Sequence, residues 1–189
     1  MIEQLKHWDE QLFLFFNGYH NEFWDFVMYW ASEKYIWIPL YALFFYLLLK
    51  HFQKHAIPII LLVIVLIFLT DQSSVWIKNS VERLRPCHEP ELDGMVHLVK
   101  EKCGGAYGFI SSHAANHFGI AVFLSLIFNK KIRFITSLLI LWAIFVSYSR
   151  IYLGVHYPGD LLSGAIVGIL SGWIVFKSGQ LLCLRGCLS

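Results

Sequence analysis

The sequence predicts an all-α integral membrane protein: a helical bundle of about five spanning helices preceded by short N-terminal interfacial helices. Three observations predict it. Of 189 residues, 57% are hydrophobic and only 15% charged, too apolar for an ordinary soluble domain. Uncharged apolar stretches close to the length of a bilayer crossing recur along the chain, several of them flanked by Trp, Tyr or basic residues. Many of the remaining charges gather beside the ends of those stretches, where ionisable groups are functional candidates by default. One domain, residues 1–189, is expected at this length, with interfacial helices over 1–34, a spanning bundle over 35–182 and an outer loop over 78–110. A net charge of +2 without a basic stripe argues against a nucleic-acid partner.

Residues 2–16 place Ile2, Leu5, Trp8, Leu12, Phe15 and Phe16 at three- and four-residue steps, with Glu3, Lys6, Asp9 and Glu10 on other faces. That is an amphipathic helix too interrupted by charge to span, suited to the interface plane. A stripe packed on the protein itself is equally compatible with the pattern. The segment lacks a positive leader, an apolar stretch and a small-residue cleavage site, so no signal peptide is expected. Asn17-Gly18 breaks the helix, and Phe23, Phe26, Val27 and Trp30 announce a second short one before Glu33-Lys34.

The first span runs from Tyr35 to Leu49 and is closed by Lys50, His51, Lys54 and His55. The second covers residues 56–70, its helical pattern continuing past Asp71 and Trp76 towards Arg83. Phe109 to Phe128 carries the third, residues 132–148 the fourth and residues 161–182 the fifth. Basic residues set the orientation: Lys50 and Lys54, then Lys130, Lys131 and Arg133, then Arg185 mark cytoplasmic turns. The Lys78–Ile110 connection, the Arg150–Asp160 stretch and the N-terminal helices then share the outer face. Cys87 and Cys103 lie in that outer loop, where oxidising conditions permit a bridge that would contribute roughly 3 kcal/mol. Cys183 and Cys187 follow the last span on the reducing side.

Three polar clusters fall on the outer face. Ser149-Arg150 with His156 and Asp160 offers a guanidinium fork matched to phosphate oxygens, an imidazole, and a carboxylate that fixes its tautomer. Lys78 and Arg85 are seven residues apart, so both side chains share one face if the helix persists that far. Ser111-Ser112-His113 precedes the third span, where free N–H groups and hydroxyls can face an anion and an imidazole can donate to a leaving oxygen. Each cluster alone is also compatible with helix capping, snorkelling or a satisfied polar residue. Together they supply the charge a dianionic phosphate needs, so no metal or other cofactor is required. These residue types assign the cations to binding and the imidazoles to chemistry, but leave open which histidine attacks.

The three patterns resemble the signature motifs of the type 2 phosphatidic acid phosphatase superfamily, which includes the vanadium haloperoxidases. Lys78, six residues, then Arg85-Pro86 matches in full, as does Ser149-Arg150, five residues, His156, three residues, Asp160. The middle motif, usually Pro-Ser-Gly-His, has Ile110 for proline and Ser112 for glycine. The resemblance implies metal-independent, two-step hydrolysis: His156 attacks phosphorus, Asp160 holds its ring, and His113 protonates the departing group. Lys78, Arg85, Arg150, Ser111 and Ser112 would bind the phosphate oxygens.

The small size, the short interfacial helices and the outward-facing site are similar to bacterial undecaprenyl pyrophosphate phosphatases, the expected activity. Lipid A phosphatases and phosphatidylglycerophosphate phosphatases carry the same motifs and are the alternatives, with a non-catalytic phospholipid-binding or transport protein as the competing class. The expected setting is a bacterial cytoplasmic membrane with the site on the periplasmic side. The partners expected are a lipid phosphate and the membrane, without an obligate protein partner.

Overall fold

The computed structural model describes residues 2–129 and 131–181, which form seven α-helices. They are α1 (Ile2–Gly18), α2 (Glu22–Ser32), α3 (Ile38–Phe52), α4 (Ala56–Val81), α5 (Ser112–Phe128), α6 (Ile135–Tyr152) and α7 (Pro158–Leu181). Among these residues, strand pairing is limited to one isolated antiparallel bridge, Leu84 with Tyr107. Lys130, Cys183, Arg185 and Cys187 of the sequence reading lie outside the described residues.

Segments 34–81, 135–152 and 158–181 are each long and apolar enough to cross a membrane, and α5 is a shorter apolar helix. The first segment is two helices, because the chain bends where Gln53 takes a left-handed φ of 47° between α3 and α4. Five apolar helices therefore stand where the sequence reading expects five spans. Their outward faces carry exposed apolar side chains, such as Ile57, Leu61, Ile64 and Phe68 on α4 and Leu162, Ile166, Leu170 and Trp173 on α7. A large exposed apolar belt is what an integral membrane protein presents to lipid. Inside it, Phe44, Leu48, Leu66, Phe123, Phe128 and Trp142 knit α3 to α6 into one core.

Two helices with small residues at every fourth position bring the site together. Gly164, Gly168 and Gly172 of α7 lie against the backbone of Ser111, Ala115 and Gly119, so a Cβ at Gly164 or Gly172 would sit 2.5 Å from a carbonyl oxygen. In a bilayer, where no hydrophobic drive pulls helices together, such stripes allow the close contact that holds them. The pairing is parallel, so α5 and α7 start at the same level, and the Ser111 amide donates to the Asp160 carbonyl at 3.0 Å. Helix α4 runs the other way, and its C-terminal end meets the start of α5.

Several boundaries differ from the sequence reading. Helix α4 stops at Val81, with Glu82 left-handed at φ 54°, so Lys78 and Arg85 do not share a helical face. Beyond that break Arg85, which precedes Pro86, is extended, with ψ of 156°. Helix α1 continues through Asn17 to Gly18 because Asn17 turns inward and is held by Ile151, Tyr152 and His97. Helix α6 begins at Ile135, after left-handed Phe134, and runs to Tyr152, which places Arg150 in its last turn. Helix α7 begins at Pro158, ahead of the expected start of the fifth span at 161; proline suits the first turn of a helix, and Asp160 lies in that turn with His156 in the loop just before it.

Candidate active site

Residues Leu153–Tyr157 connect α6 to α7 and carry His156 into the interior, where it is 2% exposed. The turn needs Gly154, which has φ of 77° and packs against the His97 carbonyl. His156 Nδ1 lies 3.3 Å from Asp160 Oδ2, and the Tyr157 amide donates to the same oxygen at 3.0 Å. With Nδ1 directed at the carboxylate, Nε2 is the nitrogen left to react. Burial first, then the charges of Arg150, Arg85 and Lys78, push the imidazole well below its usual range, against a hydrogen bond to the Gly108 backbone. The ring is therefore neutral at physiological pH, the state a nucleophile needs.

Three cations act on that ring from three parts of the chain. Lys78 of α4 donates to Ser112 Oγ at 2.6 Å. Arg85 lies in the extended segment after α4, with Nη1 donating to the Cys103 carbonyl and Nε to the Tyr107 carbonyl, both at 3.3 Å. Burial lowers its pKa while the Asp160 charge opposes the shift. Arg150 hydrogen-bonds Ser32 of α2 through Nη1, and its buried Nε has no partner among the described residues. A buried unpaired guanidinium donor costs free energy that an anion's oxygen would recover. Cys87 and Cys103 form a disulfide with Cα atoms 5.9 Å apart, closing the loop that supplies Arg85 with its carbonyl partner.

The start of α5 completes the site. Ser111 is the N-cap, its Oγ accepting from the Ala114 amide at 3.4 Å, and it is fully buried. Its hydroxyl is thus engaged in capping, which leaves Ser112 as the serine facing a site cation. His113 lies within electrostatic reach of Arg150, His156 and Lys78 and stacks parallel to His117 with ring centroids 6.1 Å apart. His117 donates through Nδ1 to the His113 carbonyl at 2.8 Å. Both rings line an apolar cavity of about 490 Å³ between α3, α4 and α5, with Lys34, Asn116, Phe44 and Ile67 among its walls. A smaller cavity of about 240 Å³ is bounded by Arg85, Arg150, Ser32, Glu33 and Lys102.

Lys78, Arg85, Ser112, His113, Arg150, His156 and Asp160 thus converge at one end of the bundle, although they come from separate segments. Two residues that sequence reasoning passed over join them. Arg83 Nη1 lies 3.1 Å from Asp160 Oδ1 and 2.8 Å from Asp9 Oδ2 of α1. Arg83 sits within the first motif and could have been found by its position. Asp9 lies one helical turn before Phe13 and two before Asn17 on the inward stripe of α1, the only signal it carries.

A family model described as the PAP2 superfamily matches residues 35–182. A lipid A 4'-phosphatase of Bacteroides thetaiotaomicron is 44% identical over 188 residues, covering 98% of this chain and 83% of that protein. An undecaprenyl-diphosphatase of Sulfolobus acidocaldarius is 33% identical over 150 residues, covering 79% of this chain and 65% of that protein. Among solved structures, Aquifex aeolicus LpxE superposes with a TM-score of 0.68 at 28% identity, covering 88% of this chain and 93% of that one.

Proposed function

The chain belongs to the PAP2 superfamily and is an integral membrane lipid phosphatase; from that premise we propose that it removes a phosphate monoester from a lipid A-type glycolipid. The observation that carries the substrate is the 44% identity to a lipid A 4'-phosphatase, which extends over 98% of this chain, N-terminal helices included. This replaces undecaprenyl pyrophosphate as the first reading. That reading rested on chain size and interfacial helices, which do not discriminate between the two substrates, because the lipid A 4'-phosphatase aligns with nearly the whole chain.

The chemistry assigned to the site runs in two steps. His156 Nε2 forms a bond to phosphorus as the ester P–O bond breaks, and the departing oxygen takes a proton from His113. Asp160 holds the ring and stabilises the charge it gains. Lys78, Arg85, Arg150 and Ser112 bind the phosphate oxygens and the charge that builds on them. Water then cleaves the phosphohistidine and releases inorganic phosphate. The cytoplasmic membrane, with the site opening to the periplasm, is the setting consistent with the basic turns at the other end of the bundle and with a disulfide at the site end.

The test is phosphate release from purified lipids in detergent: a lipid A bisphosphate, undecaprenyl pyrophosphate and phosphatidylglycerophosphate, with His156→Ala as control. The lipid A substrate is expected to give the highest kcat/KM, with turnover persisting in EDTA. A tenfold preference for undecaprenyl pyrophosphate would overturn the substrate, and metal-restored activity after EDTA would overturn the chemistry.

A further inference from the structure

Helix α1 presents two faces with different duties. Leu5, Trp8, Leu12 and Phe15 are exposed, as on a helix lying in a lipid surface. The opposite stripe, Asp9, Phe13 and Asn17, is spaced at four-residue steps and meets the Arg150–Asp160 segment along its length. Asn17 Nδ2 donates to the carbonyls of Tyr152 at 2.9 Å and Ile151 at 3.3 Å. Phe13 packs edge-on against Tyr157 with centroids 5.4 Å apart. Asp9 Oδ1 accepts from the Gly159 amide at 2.7 Å.

The Asp9 contact continues into the reacting pair. Its other oxygen binds Arg83 Nη1, and the same nitrogen binds Asp160 Oδ1. The guanidinium carbon sits over the Tyr157 ring, 4.0 Å from its centroid, a cation–π contact that helps hold the group in place. Asp160 has no exposed side-chain surface, so Arg83 on one oxygen and the Tyr157 amide with His156 on the other determine how the carboxylate sits. Gly159 is what lets α1 come this close: a Cβ there would lie 2.7 Å from Asp9 Oδ2.

We propose that Asp9 is a positioning residue for the reaction, holding the His156–Asp160 pair through Arg83 and the Gly159 amide. The interfacial helix is then part of the catalytic apparatus rather than only an anchor. The proposal rests on the phosphatase reading of the site but not on which lipid is the substrate.

The test uses the full chain in detergent micelles and whichever lipid phosphate the wild-type protein hydrolyses, so a wrong substrate assignment leaves it intact. Asp9→Asn is expected to lower kcat about ten- to hundredfold with KM within twofold, since a charge-assisted contact is lost away from the substrate. Asp9→Glu should recover part of the loss. Arg83→Lys, which keeps the charge but not the fork, should lower kcat as well, and Asp9→Asn should add less to it than the product of the two single effects. Gln11→Ala, on the exposed side of the same helix, should change neither constant. Unaltered kcat in Asp9→Asn, a raised KM at unchanged kcat in Arg83→Lys, or activity losses that merely follow falling melting temperature across the variants would each overturn the proposal.

Discussion

Gly168 of α7 rests directly on the Ala115 carbonyl of α5, with no room for a side chain between the two backbones. The contact lies one helical turn from the Ser111–Gly164 contact and fixes the level at which the second and third motifs meet. A Cβ there meets backbone, which cannot swing aside as a side chain would. Gly168→Ala is therefore expected to destabilise the bundle by about 1 to 3 kcal/mol through overpacking, and to lower turnover because His113 and His156 are drawn apart. Thermal melting in detergent and kcat on the same lipid check it, and an unchanged melting temperature would show that the helices have slack.

The Cys87–Cys103 bridge closes a loop with a sequence separation of 16 and presents the Cys103 carbonyl to Arg85. Loop-closure entropy puts its contribution at about 3 kcal/mol. Reduction, or Cys87→Ser with Cys103→Ser, is expected to lower the melting temperature and to raise KM, with a smaller effect on kcat, because the role proposed for Arg85 is to bind phosphate rather than to perform the attack. Kinetics with and without reductant separate the two effects.

The motifs were legible because each carries its chemistry in a short window: Lys78 to Pro86, Ser111 to His113, Ser149 to Asp160. The five apolar helices were legible for the same reason, since composition and length are local properties. What the sequence hid is contact across distance. Asp9 and Gly159 are 150 positions apart, and periodicity can place Asp9 on a face of α1 without saying what that face meets. The shared face assigned to Lys78 and Arg85 failed for a physical reason, the break at Glu82, yet both residues reach the site because the extended strand after the break returns Arg85 to it. The stripe Gly164, Gly168, Gly172 went unread, and which helix it grips is a property of the assembled bundle.

The assignment of His113 as proton donor predicts a dependence on the leaving group. His113→Asn should lower turnover of a lipid phosphate by about 10² to 10⁴, the usual contribution of general acid catalysis. A p-nitrophenyl phosphate, whose phenolate departs without protonation, should suffer far less. Equal losses on both substrates would move His113 from proton transfer to phosphate binding.

The depressed pKa of His156 predicts two pH effects of definite sign. Its folded value lies below the unfolded one, near 6.5, chiefly through burial and then through Arg150, Arg85 and Lys78. As pH falls, the unfolded chain takes up its proton first, so stability present in full above about 6.5 is lost progressively between that value and the folded one. Wild-type protein should therefore lose more melting temperature between pH 7.5 and pH 5 than His156→Gln does. In kinetics, with His156 as the proposed nucleophile, its lowered pKa means that kcat/KM should show no acid limb at the ordinary histidine value from this residue. Arg85→Gln removes one of the depressing charges, so the limb attributable to His156 should move upward in pH. A limb that stays at the ordinary value in wild type, and does not move in Arg85→Gln, would mean that another group controls the profile.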